Sequence, residues 1–99
     1  MKVMIYQSTP VFGDVEANLA TIERHCRSAK GLDLDVVVFP ELFLTGYNLG
    51  DKVAGLAQEI GGPAICALRD MARDCGLAIV TGFAEKRDGQ LYNSAIAIS

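Results

Sequence analysis

Few side chains in this 99-residue sequence could act on a substrate, and one stretch gathers the best of them. Phe39-Pro40-Glu41-Leu42-Phe43-Leu44-Thr45-Gly46-Tyr47 sets a single carboxylate among apolar residues. The four residues before Pro40, Val36-Val37-Val38-Phe39, read as a strand buried on both faces. In parallel sheets, ligands gather beyond the carboxyl ends of the strands, and Glu41 falls at such an end. Desolvation in apolar company strengthens a carboxylate as a base. Glu41 is therefore a candidate general base or acid. The alternative is a loop carboxylate that faces water or caps the next helix.

The candidate nucleophiles are weaker. Cys26, Cys66 and Cys75 are an odd number at scattered spacing, which is no disulfide framework. Cys26 and Cys75 fall on apolar helical stripes and Cys66 near a helix start, so packing in a reducing cytoplasm accounts for them. His25 is the only histidine, and the cysteine after Cys26 lies forty residues on, so no metal site is expected. Sequence periodicity places His25 on a solvated helix face. No G-x-S-x-G accompanies it, and the segment Ser8-Thr9-Pro10-Val11-Phe12-Gly13 carries no phosphate-binding glycine pattern. No cofactor is expected.

The elements that hold Glu41 follow from pattern. Val3 to Ser8 reads as a strand bounded by Pro10. Asp14 is a good N-cap, and Val15, Leu19, Ile22, Cys26 and Ala29 recur at steps of four and three. Arg24, Arg27 and Lys30 load the far end of that helix, and Gly31 suits C′. The strand at Val36 to Phe39 then completes a right-handed βαβ unit. Glu41 to Asp51 is a loop, and a short helix is expected from Asp51 to Ile60. Pro63 opens another helix with a stripe at Ile65, Leu68, Ala72 and Cys75, closed by Gly76. Leu77 to Ala84 and Leu91 to Ile98 read as an antiparallel hairpin around Asp88-Gly89. The order β-α-β-(α)-α-β-β is an α/β layered fold with a mixed sheet.

Composition narrows the function. About half the residues (51%) are apolar, 21% are charged, and the net charge is −3, the balance of a folded domain without a nucleic-acid footprint. No window is apolar enough to span a membrane, and Met1 to Pro10 lacks a cleavage site, so a cytoplasmic protein is expected. The sequence stops at Ser99, straight after a strand that looks central to its sheet. We therefore expect residues 1–99 to be the N-terminal portion of a single, longer domain.

With Gly13, Asp14 and Asn18 at the first helix, F-P-E-L-F-L-T-G-Y after a buried strand, and Pro63, Gly82 and Asn93 further on, the sequence resembles the nitrilase superfamily of carbon–nitrogen hydrolases along its whole length. The resemblance implies an α-β-β-α sandwich and a Glu–Lys–Cys set acting on a small-molecule amide or nitrile. Glu41 would be the general base that activates a cysteine thiol, and Tyr47 would line the substrate pocket or pack the loop. The resemblance also implies a homo-oligomer. None of the three cysteines stands where the family's nucleophile does. None of Lys2, Lys30, Lys52 and Lys86 is the family's lysine. The nitrile, amide, N-carbamoyl and glutamine substrates of the family stay open, and these 99 residues alone are expected to be inactive. The other reading is a non-catalytic α/β fragment or interaction module that lacks the nucleophile.

Overall fold

A computed structural model describes all residues from Met1 to Ser99. The chain runs β1 (Val3–Ile5), α1 (Val15–Ala29), β2 (Val36–Val38), a 3-10 turn (Gly50–Lys52), α2 (Val53–Leu56), α3 (Pro63–Cys75), β3 (Ala78–Arg87) and β4 (Gln90–Ile98). Sheet order equals chain order. β1, β2 and β3 are parallel, and β3 and β4 form the expected antiparallel hairpin, so the sheet is mixed.

The helix signals act as their chemistry requires. The Asp14 side chain accepts a hydrogen bond from the Ala17 N–H at 2.9 Å and caps α1. Gly76 takes the left-handed conformation (φ +66°) that ends α3. Both helices lie on one face of the sheet. Their stripes meet Val37, Ile79 and Ile98 in one core that holds Ile22, Cys26, Ile65 and Leu68 without solvent access.

The sheet's other face is open. Register puts Val3, Ile5, Val36, Val38, Val80 and Ala97 on it. Val3 is 48% exposed and Ile5 66% exposed, while Val36 and Val38 are half-buried. The expectation that β2 is buried on both faces is met on the helix side alone, because in these 99 residues only that side carries a covering layer.

Two boundaries differ from expectation. Regular pairing in β1 stops at Ile5. The helix expected over Asp51 to Ile60 shrinks to a 3-10 turn and the single turn of α2. The reason is competition from β3. The Gln58 N–H donates to the Ala84 carbonyl at 2.8 Å, and the Lys86 N–H donates to the Gln58 carbonyl at 2.9 Å. These bonds occupy β3 beyond its pairing with β2 and draw the chain out of helix.

His25 is the larger correction. It is half-buried rather than wholly solvated. It lies against Tyr6, with ring centroids 3.8 Å apart, beside a cluster that includes Phe39 and Phe43. Its Nε2 is buried without a hydrogen-bond partner. Burial, and then the nearby Arg24, hold the imidazole below its ordinary titration range. The physical reason is room: the stripe leaves a flank of α1 over the end of β1, and Tyr6 fills it from below.

Asn18 is the polar residue that ties these parts together. It is 1% exposed. Its Oδ1 accepts from the Val11 N–H at 2.8 Å, and its Nδ2 donates to the Val11 carbonyl at 2.8 Å and the Leu44 carbonyl at 3.0 Å. One side chain on α1 thus anchors both the loop after β1 and the loop that carries Glu41.

Two outcomes follow. Asn18→Ala strands one buried and two part-buried backbone groups at once and should destabilise the protein by about 3 kcal/mol, read from the urea midpoint. The folded state disfavours protonated His25 relative to the unfolded chain. Its contribution is intact above about pH 6.5, the unfolded value, and is lost as pH falls through the lower folded value. His25→Phe should flatten that part of the stability curve between pH 7 and 5, measured as Tm against pH.

Candidate functional site

Glu41 is placed by its backbone before its side chain matters. After Val38 the chain keeps to the β3 edge: the Phe39 N–H donates to the Val80 carbonyl at 2.8 Å, and the Gly82 N–H donates to the Pro40 carbonyl at 3.2 Å. The Glu41 backbone then passes directly over Gly82. A Cβ on Gly82 would stand 2.6 Å from the Glu41 Cα and 2.5 Å from the Leu42 nitrogen. No side chain fits there. Leu42 turns the chain away with φ +51°, a left-handed conformation that costs a non-glycine residue about 1–3 kcal/mol. That turn is closed by the Gly46 N–H donating to the Leu42 carbonyl at 2.8 Å. The loop is held at its far end by Asn18 on Leu44 and by the Gly13 N–H donating to the Thr45 carbonyl at 2.8 Å.

Gly82 belongs to the set of β3 residues on the open face, so Glu41 sits on that face, opposite the helices. Its side chain extends toward β4, where Asn93 Nδ2 donates a hydrogen bond to Glu41 Oε1.

The apolar company expected around the carboxylate is not there. Phe39, Phe43 and Leu44 are buried, but in the core shared with α1 and α3. Glu41 is exposed in this chain. The left-handed turn at Leu42 separates Glu41 from Phe43 and Leu44, which drop into the core, so apolar sequence context did not translate into desolvation.

Tyr47 lies on the same loop and is 36% exposed. It does not belong to the core, and the open hollow lined by Phe12, Gly13, Leu49, Lys52 and Leu56 includes neither Tyr47 nor Glu41.

The cysteines fall where packing put them. Cys26 is fully buried and Cys75 is 8% exposed, both on the helix side, with the sheet between them and Glu41. Burial pushes the Cys26 thiol up to about 11, with Cys75 and Glu23 adding to the effect, so it is not a nucleophile at neutral pH. Cys66 is exposed on α3, its Sγ 3.7 Å from the Gly61 carbonyl. No group of three or more His, Cys, Asp or Glu side chains is arranged to hold a metal ion.

Two site residues escaped the sequence reading as physical actors, although both stand in the family motif. Asn18 was legible only as a polar interruption in an apolar stripe, and Asn93 only as an alternating strand position. Both are asparagines in regular structure that asparagine does not favour, and that is the signal they offered.

Comparison with known proteins fits this geometry. Residues 2–99 match the model of the family described as carbon-nitrogen hydrolase. A nitrilase from Pyrococcus abyssi is 39% identical over 101 residues, covering 99% of this chain and 38% of the relative. An (R)-stereoselective amidase from a Pseudomonas species is 32% identical over 99 residues, covering all of this chain and 36% of the relative. The crystal structure of an amidase from Nesterenkonia sp. superposes with a TM-score of 0.82 at 27% identity, covering 98% of this chain and 37% of that one. The chain thus spans little more than a third of the length of the relatives it matches. No helix is long and apolar enough to cross a membrane. With its sequence matched from residue 2 to residue 99 and its fold superposing on a solved amidase, this chain belongs to the carbon-nitrogen hydrolase family.

Proposed function

We propose that this chain supplies the general base of an amidase-type hydrolysis, with Glu41 as that base and with the nucleophilic cysteine and the lysine contributed by further residues of the complete protein. The observation that carries the reading is the close approach at Gly82, which fixes the Glu41 backbone on the open face of the sheet. A floating loop carboxylate would need no such fit.

Glu41 takes the proton of the thiol. The thiolate attacks the carbon of a small amide or nitrile. For an amide the carbonyl electrons move onto oxygen, and the lysine's positive charge stabilises that oxyanion. The oxyanion collapses, the C–N bond breaks, and ammonia or an amine leaves with the proton Glu41 had taken. Water, deprotonated by Glu41, then cleaves the thioester and releases the acid and the thiol. The small-amide class is supported by the named activities of relatives and by the acrylamide complex solved for a variant of the Nesterenkonia amidase.

The open face supports the same reading. Its valines and Ile5 form the kind of surface a second sheet covers, so residues 1–99 act as the N-terminal portion of one α-β-β-α domain. Such a layer would also enclose Glu41 and give it the apolar company that this chain alone does not provide. Three free cysteines fit a reducing compartment such as the cytoplasm. The family resemblance supports assembly of the complete protein into a homo-oligomer.

Glu41→Gln keeps the shape and removes the base. In the complete protein it should lower kcat by at least ~10² with little change in fold, and near-normal turnover would overturn the role. Gly82→Ala should lower kcat and Tm together, because the added methyl must displace the Glu41 backbone. The 99 residues by themselves should show no turnover of amides or nitriles above buffer.

A further inference from the structure

Glu41 enters the open face over β3, yet its carboxylate ends on β4. The register pairs Gly82 with Ala95 and Ala84 with Asn93, so these four residues share that face. Gly82, Ala84 and Ala95 are small. They leave a lane across the hairpin along which the Glu41 side chain reaches its partner, and a larger residue at any of the three would narrow it. At the end of the lane Asn93 donates to Oε1. Strand pairing gives no reason for an asparagine there, since asparagine is disfavoured in strands. Outward neighbours on the same strand face, Ala95 and Ala97, have no polar group.

A carboxylate has two oxygens, and a base must keep one of them free for the incoming proton. The Asn93 amide is neutral at every working pH and donates without accepting that proton. Its hydrogen bond stops rotation of the carboxylate and occupies Oε1. We propose that Asn93 is a positioning residue that holds Oε1 of Glu41 so that Oε2 faces the thiol whose proton Glu41 removes. The inference rests on the reading of Glu41 as general base, and it assigns to β4 a part in the reaction that strand geometry alone does not demand.

The test uses the complete protein and iodoacetamide as the thiol probe, with the alkylated peptides resolved by mass spectrometry. Alkylation of the nucleophilic cysteine reports thiol activation, alkylation of exposed Cys66 serves as the internal control for reagent, and protection of buried Cys26 reports an intact fold. Asn93→Ala removes the donor. Asn93→Asp keeps the shape and replaces the donor with a second carboxylate. Both should slow alkylation of the nucleophile at pH 7 about 10-fold and leave Cys66 alkylation and Tm unchanged. Asn93→Ala placed on Glu41→Gln should add little to the loss caused by Glu41→Gln alone. Wild-type alkylation in both Asn93 variants, with Glu41→Gln slow, would overturn the inference and leave the base intact. A full additional 10-fold loss on the Glu41→Gln background would overturn it too, since the two residues would then act independently. If Glu41→Gln itself alkylates at the wild-type rate, the base reading fails first and the positioning role falls with it.

Discussion

The contact between the Glu41 backbone and Gly82 is the constraint on which the site depends. Two stretches of main chain meet where any Cβ would come within 2.6 Å of the Glu41 Cα. The approach is secured from below by the Gly82 N–H on Pro40 and from the flank by the left-handed turn at Leu42. A side chain carried on such a backbone has little freedom to wander, and pre-organisation of that kind is what general-base chemistry asks of a protein. The strain at Leu42 is the local cost of turning the chain away so soon after Glu41.

The sheet divides the molecule into two chemical environments. On the helix side, Ile22, Leu68 and Phe43 exclude water, and burial keeps the Cys26 thiol protonated at neutral pH. On the other side lie the carboxylate, its asparagine partner and a band of half-covered valines. The first side builds stability, and the proposed base lies on the second. Asn18 joins them. From α1 it satisfies backbone groups of two loops, and one of those loops leads straight back to Glu41. A fully satisfied buried amide of this sort ties distant segments into one register, because leaving any of its partners without a bond would cost more than the amide's own burial.

Much of this was legible in one dimension. Asp14 at the N-cap, Gly76 at C′, Pro63 at the first turn of α3 and the Asp88-Gly89 hairpin each work through local backbone chemistry, and each stands in the structure as the residue types require. Element order, the parallel β1–α1–β2 unit and the final hairpin followed from the same local rules. Glu41 could be singled out because the end of a buried parallel strand is a place where side chains meet ligands. The end of the helix over Asp51 to Ile60 could not be read, since it depends on Gln58 finding the free edge of β3. His25 could not be read either: periodicity faced it toward water, and only the packing of Tyr6 against that flank of α1 half-buried it.

The amino-acid order by itself determined the elements, their sequence along the chain and the one carboxylate that follows a buried parallel strand, because capping, periodicity and turn chemistry act over a few residues. Tertiary structure alone decided which face that carboxylate occupies, why residue 82 must lack a side chain, and that an amide 52 positions away holds one of its oxygens. Those facts belong to pairs of residues far apart in the chain, and distance in sequence says nothing of contact until the sheet has formed.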